Sequence, residues 1–189
     1  MEIEVSAEAK DKRLNRMVAI TVVILSIFTG VANIKDGNIV QAMQQTQSNS
    51  VDRWNEYQAD RTKLHLAETA KVELAAIGAT SRAAAASAAP AITGLDHDIA
   101  KYRAESPELA REAHGFADQY DAINLHDDQF DASDAAIATA ISMAAVAALV
   151  ESTWLLYAAW AFGAFGLFMG VCGFAGWSFH PDVLSNFLG

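Results

Sequence analysis

Three apolar stretches, each long enough to cross a lipid bilayer as a helix, constrain this chain more than any other feature. Residues 17–34, MVAITVVILSIFTGVANI, are 18 residues without a charge, roughly 27 Å of helix against a hydrocarbon core of roughly 30 Å. Residues 132–150, ASDAAIATAISMAAVAALV, are rich in alanine, and their only charge, Asp134, lies near the start. Residues 154–177 are 24 residues with no charge, roughly 36 Å of helix. Trp154, Tyr157 and Trp160 stand at one end of this third stretch and Trp177 at the other, as expected of amphipathic rings at headgroup level. A soluble bundle would have to cover two wholly apolar helices on every side, which a chain of 189 residues is too short to do. A cleaved signal peptide ending near Gly30 and Ala32 is the rival reading of the first stretch. That stretch is longer than the roughly 7–15 apolar residues of a signal sequence.

Composition fits an object divided along its length. The chain is 52% hydrophobic, yet it carries 13 Lys and Arg against 23 Asp and Glu, a formal charge of −10. The acidic balance argues against nucleic acid, whose phosphates are bound by clustered Lys and Arg. A single cysteine excludes a disulfide framework and a cysteine-based zinc site.

The basic residues set an expected orientation. Lys10, Lys12, Arg13 and Arg16 precede the first stretch, which holds residues 1–16 in the cytoplasm. After Arg111 there is no Lys or Arg, and residues 35–134 hold 9 basic and 17 acidic residues, a net of −8. Long polar segments are largely exempt from the positive-inside rule, so this region can be exported. The expected path is N-terminus inside, residues 35–131 outside, a tight turn at 151–153 inside, and a C-terminal tail, 178–189, outside.

Residues 35–131 read as helix almost throughout. Residues 35–87 lack proline and are rich in Ala, Gln, Glu, Lys and Leu, which predicts a long helix that can continue the first span. Gly37 and Asn38 mark the expected kink. The alanines at 83–86, then Pro90 and Gly94, predict the chain reversal. Ser106, Pro107 and Glu108 read as a second helix start, with a capping hydroxyl, a proline at the first helical position and an acid at the positive dipole end. Beyond it Leu109, Ala113, Phe116, Tyr120, Ile123 and Phe130 fall at spacings of four, three, four, three and seven. That is a heptad seam, and it requires a partner helix. The ascending arm offers Val51, Trp54, Tyr57, Leu64, Leu74 and Ile77, interrupted by Arg61 and Lys71. The two arms come out unequal on this reading, so a third short helix over residues 95–105 or a bend is expected, as is completion of the core by other copies of the chain.

Two segments resemble a known family. RWNEYQADRTKLHL carries Trp54, Tyr57, Gln58, Ala59 and Lys63, and HDDQFDASDAAIATAISMAAVAALVESTWLLY carries His126, Phe130 and Asp131 before the second span and Trp154 opening the third. With the arrangement of spans, they resemble the bacterial membrane proteins grouped as domain of unknown function 4337. In that family the turn between the last two spans is usually basic, whereas here residues 150–153 are Val-Glu-Ser-Thr. The family has no agreed activity. The resemblance therefore implies an architecture and a bacterial inner-membrane location, and no catalytic residues.

Gly163, Gly166, Gly170 and Gly173 recur at spacings of three, four and three on one face of the third span. Glycine lets helix backbones approach closely, the main source of helix–helix attraction in lipid. The second span offers small residues in Ala138, Ser142 and Ala145, with Ala148. The two sets are expected to form a packing face, within the hairpin of spans two and three or between subunits. On the polar arm Trp54 and Tyr57, three apart, share a helix face and read as seam residues or as anchors for a partner. They join Leu109, Phe116, Tyr120, Ile123 and Phe130 as expected oligomer or partner contacts.

Signs of chemistry are scarce. His126, Asp127, Asp128, Asp131 and Asp134 crowd the entry to the second span, with His114, Asp118 and Asp121 above, and Asp96, His97 and Asp98 near the reversal. Carboxylates with imidazole can hold a divalent cation, but the reading taken is a hydrated acidic collar at the membrane surface, with no metal or other cofactor. Cys172 lies in the third span, where a thiolate is costly. The sequence contains no glycine elbow around a serine, phosphate-cradling loop or HExxH pair, and mid-span charges of the kind that carry ions are missing.

The expected fold is all-α, with three transmembrane helices and a long, coiled-coil-like extramembrane helical hairpin between the first and second. The expected role is a non-enzymatic, homo-oligomeric membrane scaffold or docking protein, with the bilayer, further copies and an unidentified membrane protein as partners. The alternative is a subunit or accessory of an oligomeric channel or transport assembly, lined by residues such as Thr139 and Ser142.

Overall fold

The computed structural model describes residues 2–179, with side chains from residue 12 onward. The side chain of Lys10 and the tail beyond residue 179 lie outside what is described. Within them are three helices and no strand: α1, Glu2–Gly78; α2, Arg82–Leu149; and α3, Thr153–Ala175. The chain is all-helical, and each helix contains a segment long and apolar enough to cross a membrane. α1 and α2 each run without a break through two compact units. One unit holds the chain up to Met43 and from Asp121, and the other is Gln44–Tyr120.

In the first unit α1 turns Leu14, Val18, Leu25, Ala32, Ile39 and Met43 inward at spacings of four and seven. Leu14 and Val18 pack with Ala144 and Ala147 of α2 and Leu156 and Ala159 of α3, and Leu25 packs with Ile137 and Ala140. The facing surfaces of α2 and α3 are built largely from alanine and glycine, so the helices approach closely rather than interleave large side chains. The outward surface is just as apolar. Ile20, Val23, Ile24, Ile27, Val31 and Ile34 are each more than half exposed. Only 17% of the most apolar window of α1, and 39% of those of α2 and α3, is covered by protein.

The two helix ends that close this unit share one solution. Glu151, between α2 and α3, has φ 54°, and the Ser152 amide donates to the Ala147 carbonyl at 3.0 Å. At the end of α3 Gly176 has φ 68°, and the Trp177 amide donates to the Cys172 carbonyl at 3.1 Å. Both are six-to-one closures over a left-handed residue. Glycine adopts that conformation freely, whereas Glu151 pays about 1–2 kcal/mol for its Cβ.

The second unit is an antiparallel pair formed by α1 and α2. Its reversal differs from the expected one. The chain turns at residues 79–81, where the Ser81 hydroxyl accepts a hydrogen bond from the Ala84 amide at 3.1 Å and starts α2. The alanines at 83–86 are the first turns of a helix that they favour strongly. Pro90 and Pro107 both lie inside α2. Each is exposed, so the carbonyl four residues earlier, deprived of its amide, can be hydrated instead. Ser106 is no helix start: its buried hydroxyl donates to the Tyr102 carbonyl at 2.7 Å. With α2 continuous from the turn, the arms are close to equal, and no separate short helix over residues 95–105 is needed.

Both arms count in sevens. On α2 the covered positions include the row Ala88, Ile92, Leu95, Ile99, Tyr102, Ser106, Leu109, Ala113, Phe116 and Tyr120, and on α1 the row Thr46, Ser50, Arg53, Tyr57, Asp60, Leu64, Ala67, Lys71, Leu74 and Gly78. Spacings alternate four and three throughout. Val51 and Ile77, expected in the seam, are more than half exposed, because their places in the register belong to the polar residues Ser50 and Arg53 and to the small Gly78.

Candidate functional site

The glycine face lies against α1 and α2 within the first unit, and its residues differ in how little room they have. A Cβ built on Gly163 would stand 3.2 Å from Leu25 Cδ1, and one on Gly173 would stand 2.7 Å from the Phe130 ring. On Gly170 it would meet the Phe28 ring at 2.5 Å and Ser133 Oγ at 2.9 Å. Gly166 is the tightest in practice, because its Cβ would fall 2.7 Å from Ile137 Cγ1 and 2.9 Å from the Ser133 carbonyl oxygen, which is backbone and cannot swing away.

Two residues that sequence reasoning passed over complete this contact. Ser133, fully buried, donates to the Gly166 carbonyl at 2.7 Å. Gln129, also fully buried, donates through Nε2 to the carbonyls of Trp177 at 2.7 Å and Phe179 at 2.6 Å. Its Oε1 lies 3.0 Å from His126 Nδ1. Gln129 thus ties the exit of α3 to α2. Above it Phe174 meets Phe130 edge-on at 5.1 Å and Phe28 at 6.2 Å. On α1, Thr21 accepts a hydrogen bond from Trp160 Nε1 at 2.8 Å.

Ala138, Ser142 and Ala145 do not join this face. They lie on the exposed side of α2, and the alanines that meet α1 and α3 are instead Ala132, Ala136, Ala140, Ala144 and Ala147. Ser142 and Thr139 donate to the carbonyls of Ala138 and Ala135 at 2.9 and 2.8 Å. Their hydroxyl protons are therefore satisfied within the helix.

On the hairpin Trp54 and Tyr57 are half-buried against the descending arm. Trp54 stands edge-on to Tyr57 at 5.5 Å and to His114 at 5.1 Å. Around them Arg53 Nε pairs with Glu112 at 3.0 Å, and Ser50 donates to the Ala113 carbonyl at 3.2 Å. Leu109, Phe116, Tyr120 and Ile123 are half-buried and Phe130 is buried. Farther along, Lys71 pairs with Asp96 at 2.5 Å and Arg103 with Glu68 at 2.6 Å. These ion pairs rim a groove of about 460 Å³ lined also by Val72 and Ile99.

The acidic cluster at the entry to the second apolar segment is divided: Asp131 and Asp134 are exposed, as in a hydrated collar, whereas His126, Asp127 and Asp128 are half-buried. In the first unit the inward positions of α2 continue past Ile123 to Asp127 and Phe130 at the same spacing, and the carboxyl of Asp127 meets that of Asp36 on α1. Both residues are half-buried. The Oδ1 atom of each is shut off from solvent and has no donor. Burial, with Asp131, Asp36 and Asp128 nearby, pushes the Asp127 carboxyl up to about 6. Burial also raises Asp36 and Asp131. Among the described residues no three His, Cys, Asp or Glu side chains are grouped to hold a metal ion.

This arrangement falls within one family match. Residues 14–176 fit the family described as Domain of unknown function (DUF4337). The chain belongs to that family. The matched region takes in the first two apolar segments, the third as far as Gly176, the hairpin, the glycine face and the carboxyl pair. No curated protein and no solved structure matches the chain.

Proposed function

We propose that this member of the family is a homo-oligomeric, three-span protein of the bacterial inner membrane that acts as a scaffold or docking platform rather than as an enzyme. In this reading the N-terminus is cytoplasmic, the hairpin is a periplasmic coiled-coil stalk, and other copies and a further membrane protein are the partners. The observation that carries it is the outward surface of the first unit. Its three helices close their own contact with alanine and glycine, yet leave Ile24, Ile27, Ile34, Phe162, Phe165 and Phe168 exposed. Such a surface is stable where its surroundings are lipid or another apolar helix. Ala138, Ser142 and Ala145 supply a small-residue strip where a second copy can approach.

Orientation is supported by Lys12, Arg13 and Arg16 ahead of the first span and by the net −8 over residues 35–134. The test is crosslinking in native membranes through a cysteine placed at Ser142. Dimer or higher species formed through that position, and lost on Ala138→Phe, are expected; monomer alone overturns the proposal. An externally added reagent that fails to label a cysteine at Leu66 in intact cells overturns the orientation.

A further inference from the structure

Asp36 and Asp127 occupy a place where two helices meet, and among the described residues no cation is paired with either carboxyl. Asp127 fills an inward position of α2 between Ile123 and Phe130, where the pattern calls for an apolar side chain. Its Oδ1 and that of Asp36 have no donor and no solvent. The groups facing them from α2 are Asp128, Asp131 and Asp134, all acidic. His126 on α2 is turned to Gln129. Lys35 of α1 is exposed, and the sequence of α3 includes no Asp, Glu, Lys, Arg or His.

Two half-buried carboxylates in contact, each with one oxygen shut off from water, cannot both be ionised cheaply. One proton shared between them removes a buried charge and supplies the missing donor.

We propose that Asp36 and Asp127 form a proton-binding pair that fastens α1 to α2, with Asp127 carrying the proton and donating it to Asp36. When the proton is lost to solvent base, two anions face each other in the contact, and the helices separate locally. The sign follows from linkage. A carboxyl that is raised in the folded state binds protons there more tightly than in the unfolded chain. The contact is therefore tight at acid pH and weakens as the pH rises from the ordinary aspartate range through about 6.

The experiment uses the full chain in lipid nanodiscs. Infrared spectra report the C=O stretch of a protonated carboxylic acid, and amide hydrogen exchange, corrected for intrinsic rates, reports opening of residues 33–40 and 123–131. A carboxylic-acid band that titrates with a midpoint near 6 and vanishes in Asp127→Asn is expected. So is exchange about tenfold faster at pH 8 than at pH 5 in the wild type, the change that one pKa unit of linkage produces. In Asp127→Asn the amide donates to Asp36 at every pH, and exchange stays slow throughout. Asp36→Asn relieves the repulsion and moves the band's midpoint downward, which decides the matter if Asp127→Asn fails to fold. Asp98→Asn, on the hairpin, leaves both readouts unchanged. The absence of the band at pH 5, its persistence in Asp127→Asn, or wild-type exchange that ignores pH would overturn the proposal.

Discussion

The two units are built from the same two long helices and hold them together by opposite means. In the first, glycine, alanine and a few fully buried hydrogen bonds bring backbones close, and the outward surface is apolar. In the second, the seam itself is mixed: Thr46, Ser50, Arg53 and Asp60 sit at covered positions beside Leu64 and Ala67, and ion pairs line the edges. In the proposed membrane arrangement, the difference follows the surroundings. Where the outside is apolar, burying hydrophobic area gains nothing, and close approach with satisfied polar groups is what remains. Where the outside is water, a two-helix ribbon can keep polar groups in its seam, half-wetted as Ser50 and Arg53 are or buried as Thr46 and Asp60 are, but its exposed ion pairs return little stability.

That contrast can be broken most severely at Gly166. Gly166→Val sets its side chain against the Ser133 backbone, and a loss of roughly 3 kcal/mol or of the folded state is expected, from the upper range of overpacking penalties. Gly30→Ala, at a position with nothing within 4 Å, is the matched control and loses none; thermal unfolding in detergent checks both. Gln129→Leu comes next, since it frees two carbonyls and a histidine from their partner, at about 2 kcal/mol, with faster hydrogen exchange at the end of α3. Glu151→Gly has the opposite sign. Relief of the left-handed strain is expected to raise stability by about 1 kcal/mol, read as a higher unfolding midpoint. Smallest is Lys71→Ala on the hairpin: a slight loss at low salt that disappears in concentrated salt, because the pair with Asp96 is exposed. If this last change proved as damaging as Gln129→Leu, the contrast between the units would be wrong.

The sequence reveals features that repeat with one chemistry. The three apolar segments, the glycine face and the heptad from Leu109 to Phe130 could all be read in advance, because each is a run or a period of like residues. Features that depend on a partner could not. Ser133 and Gln129 matter because backbone carbonyls of another helix lie opposite them, and nothing local to either residue announces that. Asp127 was read only as part of the acidic cluster, its place in the seam concealed in the seven-residue gap between Ile123 and Phe130, and the polar half of the ascending seam was concealed for the same reason: a search for apolar periodicity skips polar residues in register. The reversal was misplaced because Pro90 and Gly94 are stronger turn signals in general than Thr80 and Ser81, and only the exposure of both prolines shows why α2 tolerates them.

The seven-residue count along both arms makes length itself a specified quantity. One inserted residue turns everything beyond it by about 100° around the helix axis, carrying Leu64 and Ala67 to the outside and bringing their neighbours in. The arms can therefore grow or shrink only by whole multiples of seven, and only if both change together.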